Sequence, residues 1–290
     1  MIKEFKNYLT AIQGKSQKTA EEYEFDLNIF YEFLKKRYKT EEINIENIRN
    51  VNINDLHAFI SHLTKARGNS NKTKARKISC LKSYFKWLKK YKMIEDNPTL
   101  DLESPKIEKR LPVYLSLEDS KKLLDASKDN KRDFAILTLF LNTGLRLSEL
   151  VSIDIDKINK DTLTIIGKGN KERTVYLNNA CLSAIEAYRQ ERDSKEKALF
   201  ISNRKTRISQ KAIEHLLDKY LEIAGLSGKG YSPHKLRHTA ATLMYQSGVD
   251  IRALQEILGH ESIATTQIYT HINQDQLRNA VKLNPLNVGG

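Results

Sequence analysis

Six residues have types and surroundings suited to chemistry on a charged ester. Arg146 stands in Thr143-Gly144-Leu145-Arg146-Leu147-Ser148-Glu149-Leu150, and Lys168 in Gly167-Lys168-Gly169-Asn170-Lys171-Glu172-Arg173. Further on come Ser232-Pro233-His234-Lys235-Leu236-Arg237-His238-Thr239, then Leu258-Gly259-His260, then Tyr269. A guanidinium is a planar fork that matches phosphate oxygens two at a time, and there are two candidates. Histidine and lysine can carry protons to and from a reacting oxygen. A tyrosine oxygen can form a covalent bond to phosphorus. The ordered set fits a grip on a phosphodiester followed by attack with a phenolic oxygen.

Each residue also has an ordinary role. Arg146 follows a glycine turn, and a salt bridge to Glu149, one helical turn on, satisfies it as well as a phosphate would. Arg237 raises the same question independently, and two such arginines make a phosphate clamp the economical answer. On a helical first turn His234 and Arg237 share a face, although many such pairs merely cap helices. His260 follows Gly259, which suits the left-handed position past a helix end, so it can equally serve that helix's carboxyl terminus. Tyr269 is one of 13 tyrosines and fits a half-buried aromatic. Lys168 lies between glycines that permit close backbone approach, yet lysines in turns are usually just solvated.

Positioning such groups takes rigid elements, and the sequence reads as mainly helical. Residues 1–100 are almost wholly helix. Tyr23, Leu27, Phe30, Tyr31 and Leu34 recur at helical spacing after Ser16-Gln17-Lys18-Thr19, where Thr19 and Glu22 resemble a capping box. Another helix begins around Asp55. A basic amphipathic helix carries Ile78, Leu81, Phe85 and Leu88 on its apolar face, with Trp87 as a core or half-buried anchor. His57 and His62 read as surface or packing residues. The stretch 101–112 is charged and aperiodic, and the chain divides into a domain at 1–106, a linker at 107–112 and a second domain at 113–290. Ser116 is the expected cap of the first helix there, with Asp119 at its third position. The segment Phe134–Leu141 is apolar all round, as in a buried helix. Thr162–Ile166 and Thr174–Leu177 flank a Gly/Asn turn and predict a hairpin. Helices resume from Asn179 to Ala224 and from Thr239 onward.

The chain has 290 residues and a net charge of +13, which favours a polyanionic partner. Distribution sharpens this: residues 65–92 hold eleven lysines and arginines and no acid, in a chain with 36 acids. Lys72, Lys74, Arg76, Lys77 and Lys82 on that helix, with Lys171 and Arg173 on the hairpin, are the expected nucleic-acid contacts. Cys80 and Cys181 lie about a hundred residues apart without ligand-spaced partners, so they read as buried bystanders. No apolar run is long enough for a bilayer and the N-terminus lacks a signal-peptide core, so a cytoplasmic protein without membrane contact is expected.

Taken together, these motifs resemble the tyrosine recombinase (lambda-integrase-like) family, and most of all its Xer recombinases. The resemblance is dense from Thr143 to His271 and weaker over Lys18–Leu34 and Arg76–Leu88. It implies a SAM-like helical bundle followed by a mostly helical, mixed α/β catalytic domain with a small antiparallel sheet, closing as a C-shaped clamp on duplex DNA. It further implies Tyr269 as nucleophile through a 3′-phosphotyrosine, Arg146 and Arg237 on the non-bridging oxygens, and His260 as a further donor there. Lys168 would be the general acid, and His234 a proton-transfer or positioning residue. No cofactor or metal is expected. The implied partners are double-stranded DNA, a homotetramer on two sites or a related second recombinase, and an activating protein. Xer-type dimer resolution is the favoured purpose. Mobile-element integration, a type IB topoisomerase, a catalytically silent DNA binder and an RNA binder remain as alternatives. Leu277, Ala280, Val281, Leu283 and Leu286 suggest a tail that docks on a neighbouring protomer.

Overall fold

The computed structural model describes residues 1–65, 68–106, 113–166, 172–259 and 262–266. The chain forms two compact units, Met1–Lys109 and Arg110–Gly290.

The first unit is helical. Helix α1 (Ile2–Asn7) runs into a π-helical turn (Tyr8–Ile12), followed by α2 (Gln17–Tyr38), α3 (Ile45–Arg49), α4 (Ile53–Lys65) and α5 (Asn71–Lys90). The cap of α2 is Ser16, whose side chain accepts from the Thr19 amide at 3.2 Å. This displaces the Thr19–Glu22 box expected from sequence, because Thr19 is already inside the helix. The predicted apolar stripe holds: Leu27, Phe30 and Leu34 are buried, and so are Ile78, Leu81, Phe85 and Leu88 on α5. Their rings interlock edge to face, as Phe30 does with Phe59 at 5.0 Å between centroids. Trp87 is buried, and His62 lies against Phe33. Leu102 belongs to the same core, so the ordered unit extends into the charged stretch after residue 100. The expected linker at 107–112 lies outside the described residues.

In the second unit come α6 (Leu117–Ser127), α7 (Lys131–Thr143), α8 (Leu147–Ser152), strands β1 (Ile158–Asn159), β2 (Thr162–Ile166) and β3 (Glu172–Tyr176), then α9 (Asn179–Glu191), α10 (Gln210–Ile223), α11 (Pro233–Gln246), α12 (Ile251–Leu258) and α13 (Ile263–Thr266). Ser116 caps α6 by accepting from the Asp119 amide, as expected. Helix α7 is the buried centre, packed on α6, α9 and α11. The hairpin is antiparallel, and β1 adds a short third strand that sequence did not announce, pairing Ile158 with Leu163. Two residues are too few to show an alternation.

The register of β2 and β3 decides the positions of later interest. Leu163 faces Val175 and Ile165 faces Arg173, so an arginine occupies an inward position beside three buried aliphatic residues. Cys80 and Cys181 are both buried free thiols. Burial pushes the Cys181 thiol up to about 12, so it stays protonated and inert. Among the described residues, no helix is long and apolar enough to cross a membrane.

Candidate active site

Helix α7 ends at Gly144, whose left-handed φ of 64° turns the chain into α8. A side chain here would also collide, since a Cβ would lie 2.8 Å from Leu258 Cδ2. This turn sets Arg146 at the amino end of α8. Its backbone N–H donates to Glu149 Oε2 at 2.7 Å, and its guanidinium donates to Oε1 at 2.7 Å. The salt bridge expected from sequence is therefore present, but it engages only part of the fork. Another terminal nitrogen of Arg146 donates to the Gly259 carbonyl at 3.1 Å.

Arg237 reaches the same place from α11. Pro233 opens that helix, where its fixed φ and missing N–H cost nothing, and Arg237 points inward one turn later. Its side chain is buried, donating to the Gly144 and Leu258 carbonyls at 2.6 Å each. Its Nη1 lies 3.9 Å from Glu149 Oε2. His234, on the exposed side of the same first turn, is open to solvent. His238, by contrast, is half-buried: burial, with the charges of Lys235, Arg237 and His234, pushes its ring down to about 4.

Arg173, expected from sequence as a nucleic-acid contact, is the third member and lies inside the unit. From β3 it donates to Glu149 Oε2 at 3.0 Å and to the Ile257 carbonyl. Only 15% of the side chain is exposed. The guanidinium points inward because Ile165 pairs with it across the sheet.

Glu149 is thus the hub of three arginines, with its side chain 3% exposed. Burial alone would raise its pKa. The Arg146 amide, the Arg173 charge and the Arg146 guanidinium outweigh burial and hold it below the usual carboxylate range. Sequence reading saw Glu149 only as one alternative partner of Arg146. The signal was there: Glu149 is an acid set among Leu147, Leu150 and Val151. Arg173, Val175 and Leu177 likewise alternate onto one face, which marks Arg173 as inward. Among the described residues, three guanidiniums thus gather round this one buried carboxylate. Lys168, Lys171, His260 and Tyr269 lie outside the described residues, as does the tail containing Leu277 and Leu286.

The basic helix of the first unit also needs correction. Lys77 is buried, with Nζ 2.5 Å from Asp26 Oδ1 and close over the Phe25 ring. An ammonium committed to a buried carboxylate is withdrawn from any phosphate. Arg76 grips Asp26 with both terminal nitrogens, at 2.5 and 2.9 Å, while 39% of its side chain remains exposed. Lys72 is exposed, Lys82 is half-buried, and Lys74 donates weakly to Thr64 at 3.3 Å. Among the described residues, no group of three or more His, Cys, Asp or Glu is arranged to hold a metal ion.

Comparison with known proteins identifies the family. The model of the phage integrase family matches residues 114–276, and that of the phage integrase N-terminal SAM-like domain matches residues 2–92. The chain is 49% identical to tyrosine recombinase XerC of Caldanaerobacter subterraneus subsp. tengcongensis, over 99% of this chain and 87% of that protein. The crystal structure of XerA recombinase shares 31% identity at a TM-score of 0.54, covering 97% of each chain. A XerH site-specific recombinase bound to palindromic difH substrate, in a post-cleavage complex, has the same fold. It gives a TM-score of 0.76 at 24% identity, over 98% of this chain and 84% of that one.

Proposed function

The chain belongs to the phage integrase family, the tyrosine-type site-specific DNA recombinases, and we propose that it cuts and rejoins strands through a phosphotyrosine at Tyr269. The Tyr269 oxygen attacks the scissile phosphorus, the bond to the 5′-oxygen breaks, and Lys168 gives that oxygen its proton. The product is a 3′-phosphotyrosine and a free 5′-hydroxyl. Attack by the 5′-hydroxyl of a partner strand reverses the step and releases the tyrosine. Bond energy is stored throughout, so no nucleotide is consumed.

Arg146 and Arg237 hold the non-bridging oxygens and stabilise the charge that grows in the transition state. His260 donates a further hydrogen bond there, and His234 takes up the phenolic proton that Tyr269 loses as it attacks. The observation that carries this reading is the convergence of Arg146 and Arg237, from two separate helices, on buried Glu149.

Duplex DNA is the substrate, met by Lys72, Lys74, Lys82 and the open face of Arg76. The acting unit is four protomers on two sites, either of this chain alone or with a related second recombinase and an activating protein. The XerC-named relative favours resolution of chromosome or plasmid dimers in the cytoplasm over mobile-element integration.

A nicked suicide duplex that loses its 5′-end after cleavage tests the chemistry. Trapped adduct should map to the peptide containing Tyr269 and vanish in Y269F. Adduct on another residue, or hydrolysis without adduct, contradicts the proposal. Plasmid relaxation without recombinants would favour a topoisomerase instead.

A further inference from the structure

Three consecutive carbonyls at the end of α12 each accept from a different arginine: Ile257 from Arg173, Leu258 from Arg237 and Gly259 from Arg146. The same three guanidiniums surround Glu149. They differ in access. The Arg146 side chain is 36% exposed, whereas those of Arg173 and Arg237 are 15% and 7% exposed.

From this we infer that Arg173 is a positioning residue of the cleavage site, acting through Glu149 on Arg146 and Arg237 without touching DNA. The inference rests on the proposed arginine clamp.

Geometry assigns the role. Arg173 sits on the inward face of β3, opposite Ile165, so its guanidinium enters the unit where Leu163 and Val175 also point. There it bridges two elements, α8 through Glu149 and the end of α12 through Ile257. Its stem packs tightly on Gly259, where an added Cβ would lie 2.8 Å from both Cδ and Nε. The Nε itself is buried without a hydrogen-bond partner among the described residues, a cost that a solvent-facing or DNA-facing arginine would not bear.

Glu149 Oε2 is the pivot. It accepts from the Arg146 amide and from Arg173, and it faces Arg237. Without Arg173 the carboxylate loses one of its fixed donors and can turn about its terminal bond. The Arg146 fork turns with it, and the end of α12 loses the first of its three clasps. A lysine is a poor substitute, because its single nitrogen lacks the rigid fork whose two terminal nitrogens reach Glu149 and the Ile257 carbonyl separately. Displacing catalytic groups by a fraction of an ångström to an ångström costs up to about 100-fold in rate.

The test uses the full chain with R173Q, R173K and R237A on two nicked suicide duplexes. One carries the natural scissile phosphate, and in the other a methylphosphonate replaces a charged non-bridging oxygen with methyl. Single-turnover cleavage by R173K and R173Q should fall about 100-fold on phosphate. On methylphosphonate, where there is less charge to stabilise, the deficit should shrink to about tenfold or less, in parallel with R237A. Duplex affinity and its salt slope should match the parent. R173K keeps the charge opposite Glu149, so it serves where R173Q lowers the folding midpoint. An unchanged deficit on methylphosphonate beside a rescued R237A overturns the role of Arg173 alone. A salt slope reduced by about one instead makes Arg173 a DNA contact. Failure of R237A to be rescued removes the clamp and this inference together.

Discussion

Each unit has a buried carboxylate that collects more than one cation, and the two clusters differ in what is left over. Asp26 on α2 takes Lys77 and Arg76 from the single helix α5. The contact fastens two neighbouring helices, and the surplus charge rests on a guanidinium already partly in water. Glu149 gathers guanidiniums from the start of α8, from β3 and from α11, elements far apart in sequence. Its surplus is larger and lies mostly inside, with donors turned onto the carbonyls at the end of α12. A cluster that only holds helices together can balance itself. The Glu149 cluster joins separate segments of the chain, and in the proposed clamp two of its arginines also face the DNA phosphate.

Neutralising the two hubs should break this comparison most sharply. E149A strands three arginines and should cost about 3–5 kcal/mol, read by chemical denaturation, with cleavage lost as well. D26A should cost about as much in stability, yet cleavage per bound protein at saturating duplex should stay near the parent rate. Equal catalytic losses from both would erase the distinction.

Next come the guanidiniums themselves. R146A and R237A should each slow single-turnover cleavage by about 100- to 1000-fold, the worth of a transition-state donor. R76A should weaken duplex binding modestly and leave the rate of bound complexes alone. The opposite pattern would place the phosphate site on the first unit.

How much of this was legible beforehand follows from what each signal depends on. The stripe Leu27, Phe30 and Leu34 and the buried run of α7 were readable because helical burial repeats locally. The hairpin was readable from its β-branched runs. Lys77 misled because a run of like charge gives no hint of an acid fifty residues earlier; Asp26 becomes its partner only when α2 and α5 pack. Arg173 misled for a different reason. It follows a run of cations in the sequence, but strand alternation with Val175 and Leu177 turns it inward. The salt bridge of Arg146 to Glu149 was readable from their spacing, whereas the approach of Arg237 and Arg173 to the same carboxylate required tertiary structure.

Smaller effects sharpen the contrast. In the first unit K77M leaves Asp26 held by Arg76, so it should cost less than D26A, which strands Lys77 and Arg76 together. Thermal unfolding of the two variants reads this directly. No apolar replacement of the Glu149 cluster should be similarly tolerated in the cleavage assay.

The smallest expected effect concerns His238. Its folded pKa lies near 4 against an ordinary 6.5, so the neutral ring belongs to the folded state. Below pH 6.5 the unfolded chain binds a proton that the folded chain refuses, and stability falls until about pH 4. Because the ring is partly open to solvent, the loss should be about 1 kcal/mol, and H238Q should remove it from the pH profile of unfolding. Glu149 acts in a lower window. Its folded pKa is depressed, so its contribution is whole above its ordinary 4.5 and fades as the pH falls further.

The most direct measurement is a structure of the chain trapped on a suicide duplex, with attention to the phosphorus linked to protein. Terminal nitrogens of both Arg146 and Arg237 should lie within about 3 Å of its non-bridging oxygens, with Glu149 still bound to Arg173. A covalent complex in which either arginine keeps only the α12 carbonyls and Glu149, with no contact to the phosphate, would contradict the clamp.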